Sequence, residues 1–265
     1  MIPRVARINR RLARGRPVAS VPLELIHASP LGLPVTFCVN MENDPIQRKH
    51  RAGEFYEQQE LSVLSAIFPT GGTFVDIGAN IGNHSLFAAL HLKATKVIPF
   101  EPNPLAYELL IQNVLVNRLR DVVSLDFIGY GASDVARGGF GMQKRDRNLG
   151  AAKMRAGEGD VEVVRADDAL ADVTPDFIKI DVEGMEMQAL QGLSGVLARC
   201  HPVMLVEVDQ ENYDAFDQWV AAQDYRELLV HQRYQTNKNF IICHASDEAR
   251  LSAALAEVQM AETGD

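Results

Sequence analysis

The sequence predicts an α/β fold: a mostly parallel sheet of seven strands, covered by helices on both faces, with an antiparallel last strand and a small N-terminal β/helical lead-in. Two observations carry this. From residue 73 onward, apolar runs of strand length alternate with runs of helical period, as expected of a parallel sheet whose crossovers are helices. The tail then holds two strand-like runs, 225–231 and 238–244, joined by a short turn, which is the pattern of an antiparallel hairpin at a sheet edge. The 265 residues, 47% hydrophobic, suffice for one large buried core.

The elements follow in order. Residues 1–16, MIPRVARINRRLARGR, carry Arg4, Arg7, Arg10, Arg11, Arg14 and Arg16 and no acid. They read either as a surface- or partner-binding arm or as a terminal helix. Pro17, Pro22, Pro30 and Pro34 punctuate the next stretch, and LELIHA and PVTFCV between them alternate like the strands of a hairpin. Residues 1–52 are therefore the arm and lead-in, and 53–265 the main domain. Apolar spacing predicts a helix over 54–68, ended by Pro69-Thr70-Gly71-Gly72. Strands are expected at 73–78, 95–101, 122–130, 176–182 and 202–208. Helices are expected at 83–92, 104–117, 186–198, 211–223 and 247–261. Residues 136–160, rich in Gly, Arg, Lys and Asp, lack a period and read as an excursion or hairpin over the sheet.

Composition excludes several classes. With 26 Lys and Arg against 35 Asp and Glu, the formal net charge is −9, which argues against a nucleic-acid partner. No apolar run approaches the ~20 residues of a membrane span, and no secretory signal is visible. Cys38, Cys200 and Cys243 are scattered without metal-ligand spacing and suit buried thiols in a reducing compartment. A cytoplasmic location is the expectation.

The stretch FVDIGANIGNHS, residues 74–85, is a strand, a glycine turn and a helix start. The turn Gly78-Ala79-Asn80-Ile81-Gly82 lacks the middle glycine that lets a pyrophosphate approach, because Asn80 stands there. No Gly-Lys-Ser/Thr follows, so it is not a P-loop. Asp76, inside the strand, is a poor neighbour for a pyrophosphate and a good one for an ammonium group. S-adenosyl-L-methionine has these needs: cationic sulfonium and amino groups, and a carboxylate suited to backbone N–H groups near a helix start. Gly78 and Gly82 are expected to let the backbone approach it. Glu101, at the end of the next strand, can accept both ribose hydroxyls, as acids do in dinucleotide folds. Gly131, Ala132 and Ser133, closing the third strand, are candidates for an adenine pocket.

The fourth strand reads DFIKIDVEGME, residues 176–186. Alternation gives Lys179, Asp181 and Glu183 one direction if the extension continues. Its carboxyl end lies at the topological switch point, where open α/β sheets bind ligands. Asp181 or Glu183 is expected to take the acceptor's proton or position it, since two neighbouring carboxylates raise each other's pKa. The alternative use is a divalent metal held with Glu207 or Asp209. Lys179 reads as the ion-pair partner of a buried acid. His84 is a lesser catalytic candidate, Asn148 a residue of a covering loop, and Asp168 a cap on a short helix.

At these residues the sequence resembles the FkbM family of S-adenosylmethionine-dependent methyltransferases. The resemblance rests on GEFYEQQE (53–60), FVDIGANIGNHS (74–85), VIPFEPNPLAYELLIQNVLVN (97–117), ADDAL (166–170), DFIKIDVEGMEMQALQGL (176–193) and PVMLVEV (202–208), in family order. It implies a Rossmann-like methyltransferase sheet and O-methylation of a sugar or polyketide-like hydroxyl, hence a small-molecule or glycan acceptor. Asp76, Gly78, Ala79, Asn80, Gly82, Glu101, Ala132 and Ser133 are the expected donor-binding set, and Asp181, Glu183 and His84 the catalytic one. Two departures are visible. Met185 stands where the family more often has a polar or small residue, and Ala166-Asp167-Asp168 replaces the usual Thr-Leu-Asp. The rival classes are a non-catalytic partner-binding module of the same fold, which the intact acids disfavour, and a nucleotide-dependent oxidoreductase, which the missing glycine disfavours.

Overall fold

The computed structural model describes residues 10–11, 13–16, 21–143, 149, 153–157, 159, 161–232 and 236–263. Arg4 and Arg7 of the arm, and Asn148, lie outside the described residues. Arg10, Arg11 and Arg14 are exposed, and a backbone turn closes from Arg16 N–H to Arg11 O at 2.9 Å.

The lead-in is the hairpin that alternation predicts. β1 (Glu24–Ala28) and β2 (Val35–Val39) pair antiparallel, and α1 (Pro45–Arg51) follows. Asp44 caps α1 by accepting from Gln47 N–H, and Pro45 presets its first turn. α2 (Gln58–Ile67) begins at Gln58 and not at residue 54, because Glu57 takes a left-handed conformation, φ 59°, that breaks a helix.

The main sheet then starts: β3 (Thr73–Ile77), α3 (Asn83–Leu90), β4 (Lys96–Phe100) and α4 (Pro104–Val116). The lead-in hairpin is stitched to α4. Cys38 N–H donates to Asn113 Oδ1 at 2.7 Å, and Asn117 exchanges two hydrogen bonds with the Thr36 backbone.

The strand expected over 122–130 forms no ladder. It meets β4 at two single parallel bridges, Val97 to Val123 and Glu101 to Ile128, because Ser124 and Asp126 hydrogen-bond each other in a local turn. The chain continues into a second sheet: β5 (Tyr130–Ser133), β6 (Arg137–Gln143), β7 (Lys153–Ala156) and β8 (Val161–Arg165), in the order β5-β8-β6-β7. The unpatterned excursion is thus the β6–β7 hairpin, and Gly131, Ala132 and Ser133 lie on a strand, not in a loop.

A short α5 (Ala166–Ala169) leads to β9 (Phe177–Ile180). The single helix expected over 186–198 is two, α6 (Glu186–Gly192) and α7 (Ser194–Cys200), broken at Leu193. Asp167, not Asp168, is the capping acid. Its carboxylate accepts from the amides of Gly195 and Val196, orphan donors of the first turn of α7. β10 (Val203–Asp209), α8 (Tyr213–Ala222), the hairpin β11 (Tyr225–His231) and β12 (Asn237–His244), and α9 (Glu248–Thr263) complete the chain.

The six laddered strands run β11-β12-β10-β9-β3-β4, parallel from β10 to β4, with β12 antiparallel to both neighbours. The segment 123–128 lies at the seventh position. Alternation sorts the core into two layers. Phe74, Phe177, Leu205 and Ile241 face α2, α3, α4 and α9, and the rings of Phe74 and Phe177 stack at 5.4 Å. Val75, Ile178, Val206 and Ile242 face α5 to α8. No helix among the described residues is long and apolar enough to cross a membrane. All three cysteines are free, Cys38 and Cys243 buried and Cys200 half-buried.

Candidate active site

β3 and β9 are neighbours in the sheet, but their helices lie on opposite faces, so a crevice opens beyond their carboxyl ends. The turn after β3 folds back there. The amides of Gly78 and Ala79 both donate to Phe100 O, at 2.9 and 3.0 Å. Asn80, in a left-handed conformation with φ 51°, donates its amide to Glu101 Oε2 at 2.7 Å. The second carboxylate oxygen of Glu101 accepts from Asn103 N–H, also at 2.7 Å. Asn103 in turn caps α4 by accepting from Leu105 N–H, with Pro104 in the first turn. The sequence EPNP thus fixes Glu101 from behind.

These residues line a narrow cleft of about 40 Å³, with Gly78, Asn80, Glu101, Ala132, Asp181 and Glu183 in its wall. Burial pushes the Glu101 carboxyl up to about 7, against the two amides that favour its ionised form. Each Glu101 oxygen keeps a lone pair beyond the amide it accepts. The enclosed Oδ1 of Asn80 has no hydrogen-bond partner. A ligand that brings N–H or O–H donors satisfies both. S-adenosylmethionine, with its ribose hydroxyls and ammonium group, fits this donor-hungry wall.

The two turns of the site meet through their backbones. Gly78 has φ 79°, and a Cβ on it would stand 1.8 Å from Asp181 O. Gly82, φ 89°, faces Leu110 of α4 at 3.2 Å in the same sense. Packing against Asp181 O alone holds position 78 to glycine, and the positive φ of both glycines disfavours any side chain there.

Behind the cleft sits Lys179. Its ammonium donates to Gly78 O at 2.8 Å and lies 3.2 Å from Asp181 Oδ2 and 3.6 Å from Asp76 Oδ1. Burial alone would lower its pKa, but Asp181, Asp76 and Glu57 outweigh burial and raise it, so it stays charged. Asp76 is fully enclosed; burial raises its carboxyl, while Lys179 and the Ser85 hydroxyl, donating at 2.6 Å, support the anion. Asp76 therefore does not reach the cleft to meet a ligand ammonium. It anchors Lys179, and through it the carbonyl of Gly78.

Asp181, Glu183 and Glu207 each bring a carboxylate oxygen within 4.8 Å of the others. Strand alternation does not cause this. β9 ends at Ile180, and Glu183 sits in a left-handed turn, φ 50°, that brings it round. Asp209 N–H is held by Glu186 Oε1 at 2.9 Å, which ties the end of β10 to α6. Burial, then Asp181, Glu183 and Glu57, pushes Glu207 far above the usual carboxylate range. Three hard oxygen donors this close fit a divalent cation of the Mg²⁺ or Ca²⁺ type.

The remaining expected residues lie away from the cleft. Ala79 and Gly82 face the core side of the turn. Ser133 is buried, with its hydroxyl turned to Asp134 at 3.0 Å. His84 is enclosed with Nε2 at 3.6 Å from Glu57 Oε2; burial and the Lys179 charge hold its pKa well below 6.5, so it is neutral and has no path to an acceptor. Glu57, inside the stretch read as a helix, carried no sequence signal, because only the left-handed turn before α2 aims it at Lys179 and Glu207.

A crevice at the switch point of an α/β sheet, with a buried acid in its wall, is where domains of this class bind ligands. The profile described as "Methyltransferase FkbM domain" matches residues 76–235, and the chain belongs to this family. It is 26% identical over 166 residues to methyltransferase sdnD of Sordaria araneosa, covering 48% of this chain and 62% of that relative's length. Methyltransferase FkbM of Methylobacillus flagellatus superimposes with a TM-score of 0.46 at 22% identity, over 64% of this chain and 43% of that one. Precorrin-6y C5,15-methyltransferase of Geobacter metallireducens gives 0.45 at 15%, over 71% and 89%.

Proposed function

We propose that the protein transfers a methyl group from S-adenosylmethionine to a hydroxyl of a small molecule or glycan. The observation that carries this is one continuous wall in which Glu101 and the unpartnered Asn80 Oδ1 are followed directly by Asp181 and Glu183. The first pair receives the ribose and the amino end of the donor. The second pair stands where the methyl group and acceptor meet. The acceptor oxygen attacks the methyl carbon in line with its bond to sulfur. The C–O bond forms, the C–S bond breaks, and its electrons stay on sulfur as adenosylhomocysteine. The acceptor's proton passes to Asp181 or Glu183. Lys179 holds the Asp181 carboxylate in place.

Calorimetry with S-adenosylmethionine and with NADH tests the donor. Binding of NADH without S-adenosylmethionine would overturn the reading. Asp181→Asn and Glu183→Gln test the base: turnover of a labelled-donor assay on a hydroxyl-rich acceptor panel falls about 10²–10⁴-fold in at least one of them. A divalent cation at Asp181, Glu183 and Glu207 is the second use of these acids, favoured by their mutual approach. It would screen their charges and orient the acceptor oxygen, and a turnover abolished by EDTA and restored by Mg²⁺ would select it.

A further inference from the structure

Methyl transfer leaves the arginine arm without a role. Residues 1–16 hold six of the 26 basic residues and none of the 35 acids, in a chain of net charge −9. All six are arginine. Where the arm is described it is helical, at Arg10, Arg11 and Ala13. The helix has a built stop. Gly15 is left-handed at φ 61°, and Arg16 N–H reaches back to Arg11 O at 2.9 Å, the closure that a glycine makes just past a helix C-terminus.

Read back from that stop at the helical period, the sequence of the arm divides into two sides. Arg4, Arg7, Arg11 and Arg14, spaced 3, 4 and 3 apart, share one side, with Arg10 at its edge. Val5, Ile8 and Leu12, spaced 3 and 4 apart, share the opposite side with Ala6 and Ala13. Pro3 stands where a helix accepts a proline, in the first turn. Arg10 and Arg14 on the basic side and Ala13 on the apolar side are all exposed, so the rest of the described protein covers neither side there.

We propose that the arm is an interfacial helix that docks the protein on an anionic lipid surface. Two features choose this occupant. The planar guanidinium pairs bidentately with phosphate oxygens, so an all-arginine, acid-free side matches a layer of phosphodiester headgroups in both charge and geometry. A nucleic acid offers the same phosphates but nothing for Val5, Ile8 and Leu12. The boundary between headgroups and acyl chains takes both sides of such a helix at once. The acidic remainder of the chain reinforces the arrangement. A negative leaflet attracts the arm and repels the body, which turns the protein arm-first toward the lipid. This docking is independent of the methyl donor.

The test is sedimentation of the full chain with sucrose-loaded vesicles at about 0.1 M NaCl. Vesicles of phosphatidylglycerol mixed into phosphatidylcholine should bind it at least about tenfold more tightly than phosphatidylcholine alone, and raising the salt to about 0.5 M should release it. Arg7→Gln and Arg14→Gln should each weaken binding about fivefold. Ile8→Gln, which keeps every charge, should weaken it about tenfold. All three variants should keep the parent's Tm and its adenosylhomocysteine affinity. Equal binding to both kinds of vesicle, or binding to neither, overturns the proposal. So does a lowered Tm in Ile8→Gln, which would put the apolar side against the protein's own body. Binding of a mixed-sequence single-stranded RNA that equals the vesicle affinity and survives Ile8→Gln overturns it as well, by making the arm a nucleic-acid contact.

Discussion

The two ends of the site are both acidic, and they manage that acidity in opposite ways. At the β4 end, Glu101 has one carboxylate held by two backbone amides, and its only excess is a burial that raises its pKa to about 7. At the β9–β10 end, Asp181, Glu183 and Glu207 crowd together with one buried ammonium among them, and Glu207 is driven far upward. The first arrangement suits tight, unchanging recognition of a cofactor. The second stores unfavourable charge that a bound proton, cation or acceptor relieves. On the proposed function, donor binding and methyl transfer are separated by how completely each end satisfies its own carboxylates.

The comparison breaks most severely at the backbone contact between the two ends. Gly78→Ala adds a Cβ against Asp181 O at a positive φ, and strain plus overpacking should cost about 5 kcal/mol in denaturant unfolding. A variant as stable as the parent would show that the two turns are not locked together. Next comes Lys179→Met, which leaves Asp76 buried without its counter-ion. The expected cost is about 4 kcal/mol, near a 10 °C drop in Tm. Adding Asp76→Asn should recover part of it, and no recovery would mean that Lys179 works through Gly78 O alone.

Glu101→Ala sharpens the distinction between binding and chemistry. Loss of two charge-assisted hydrogen bonds should weaken adenosylhomocysteine about 100-fold by calorimetry. Asp181→Asn should leave that affinity within about threefold, since a 1.4 kcal/mol change is already tenfold. Equal losses in both would erase the division of labour. The smallest effect belongs to Glu207→Gln. Glu207 holds its proton more tightly folded than unfolded, so its stabilising contribution is complete below pH 4.5 and is lost as pH rises. The variant should exceed the parent by about 1 kcal/mol at pH 8, near 3 °C in Tm, and by nothing at pH 4.5. A variant less stable than the parent at pH 8 would show that the Asn237 hydrogen bond outweighs the repulsion.

What the sequence made legible were features with a period or a fixed turn chemistry. The parallel core, the closing hairpin, the lead-in hairpin and the Glu101 turn all follow from alternation, apolar runs or the Asn-Pro cap. What it hid were features made by a single residue leaving its region of backbone space. Glu57 and Glu183 each take a left-handed conformation; the helix expected from 54 begins only after Glu57, and the strand expected to 182 stops at Ile180, before Glu183. Those two kinks aim acids that no alternation rule places. Ser124 and Asp126 likewise interrupt a strand by bonding to each other. Burial of Asp76 was unreadable for another reason: an acid within an apolar strand looks the same whether it faces a ligand or a lysine on the neighbouring strand β9.

The contact between Gly78 and Asp181 also constrains how two ligands can share the protein. On the proposed function, the donor rests on the turn that begins at Gly78, and the acceptor on the turn that begins at Asp181. With no free volume between those backbones, a displacement of one turn by its ligand is felt by the other. Whatever free energy the acceptor spends on shifting Asp181 reappears as a change in donor affinity, and linkage makes the effect equal in the reverse direction.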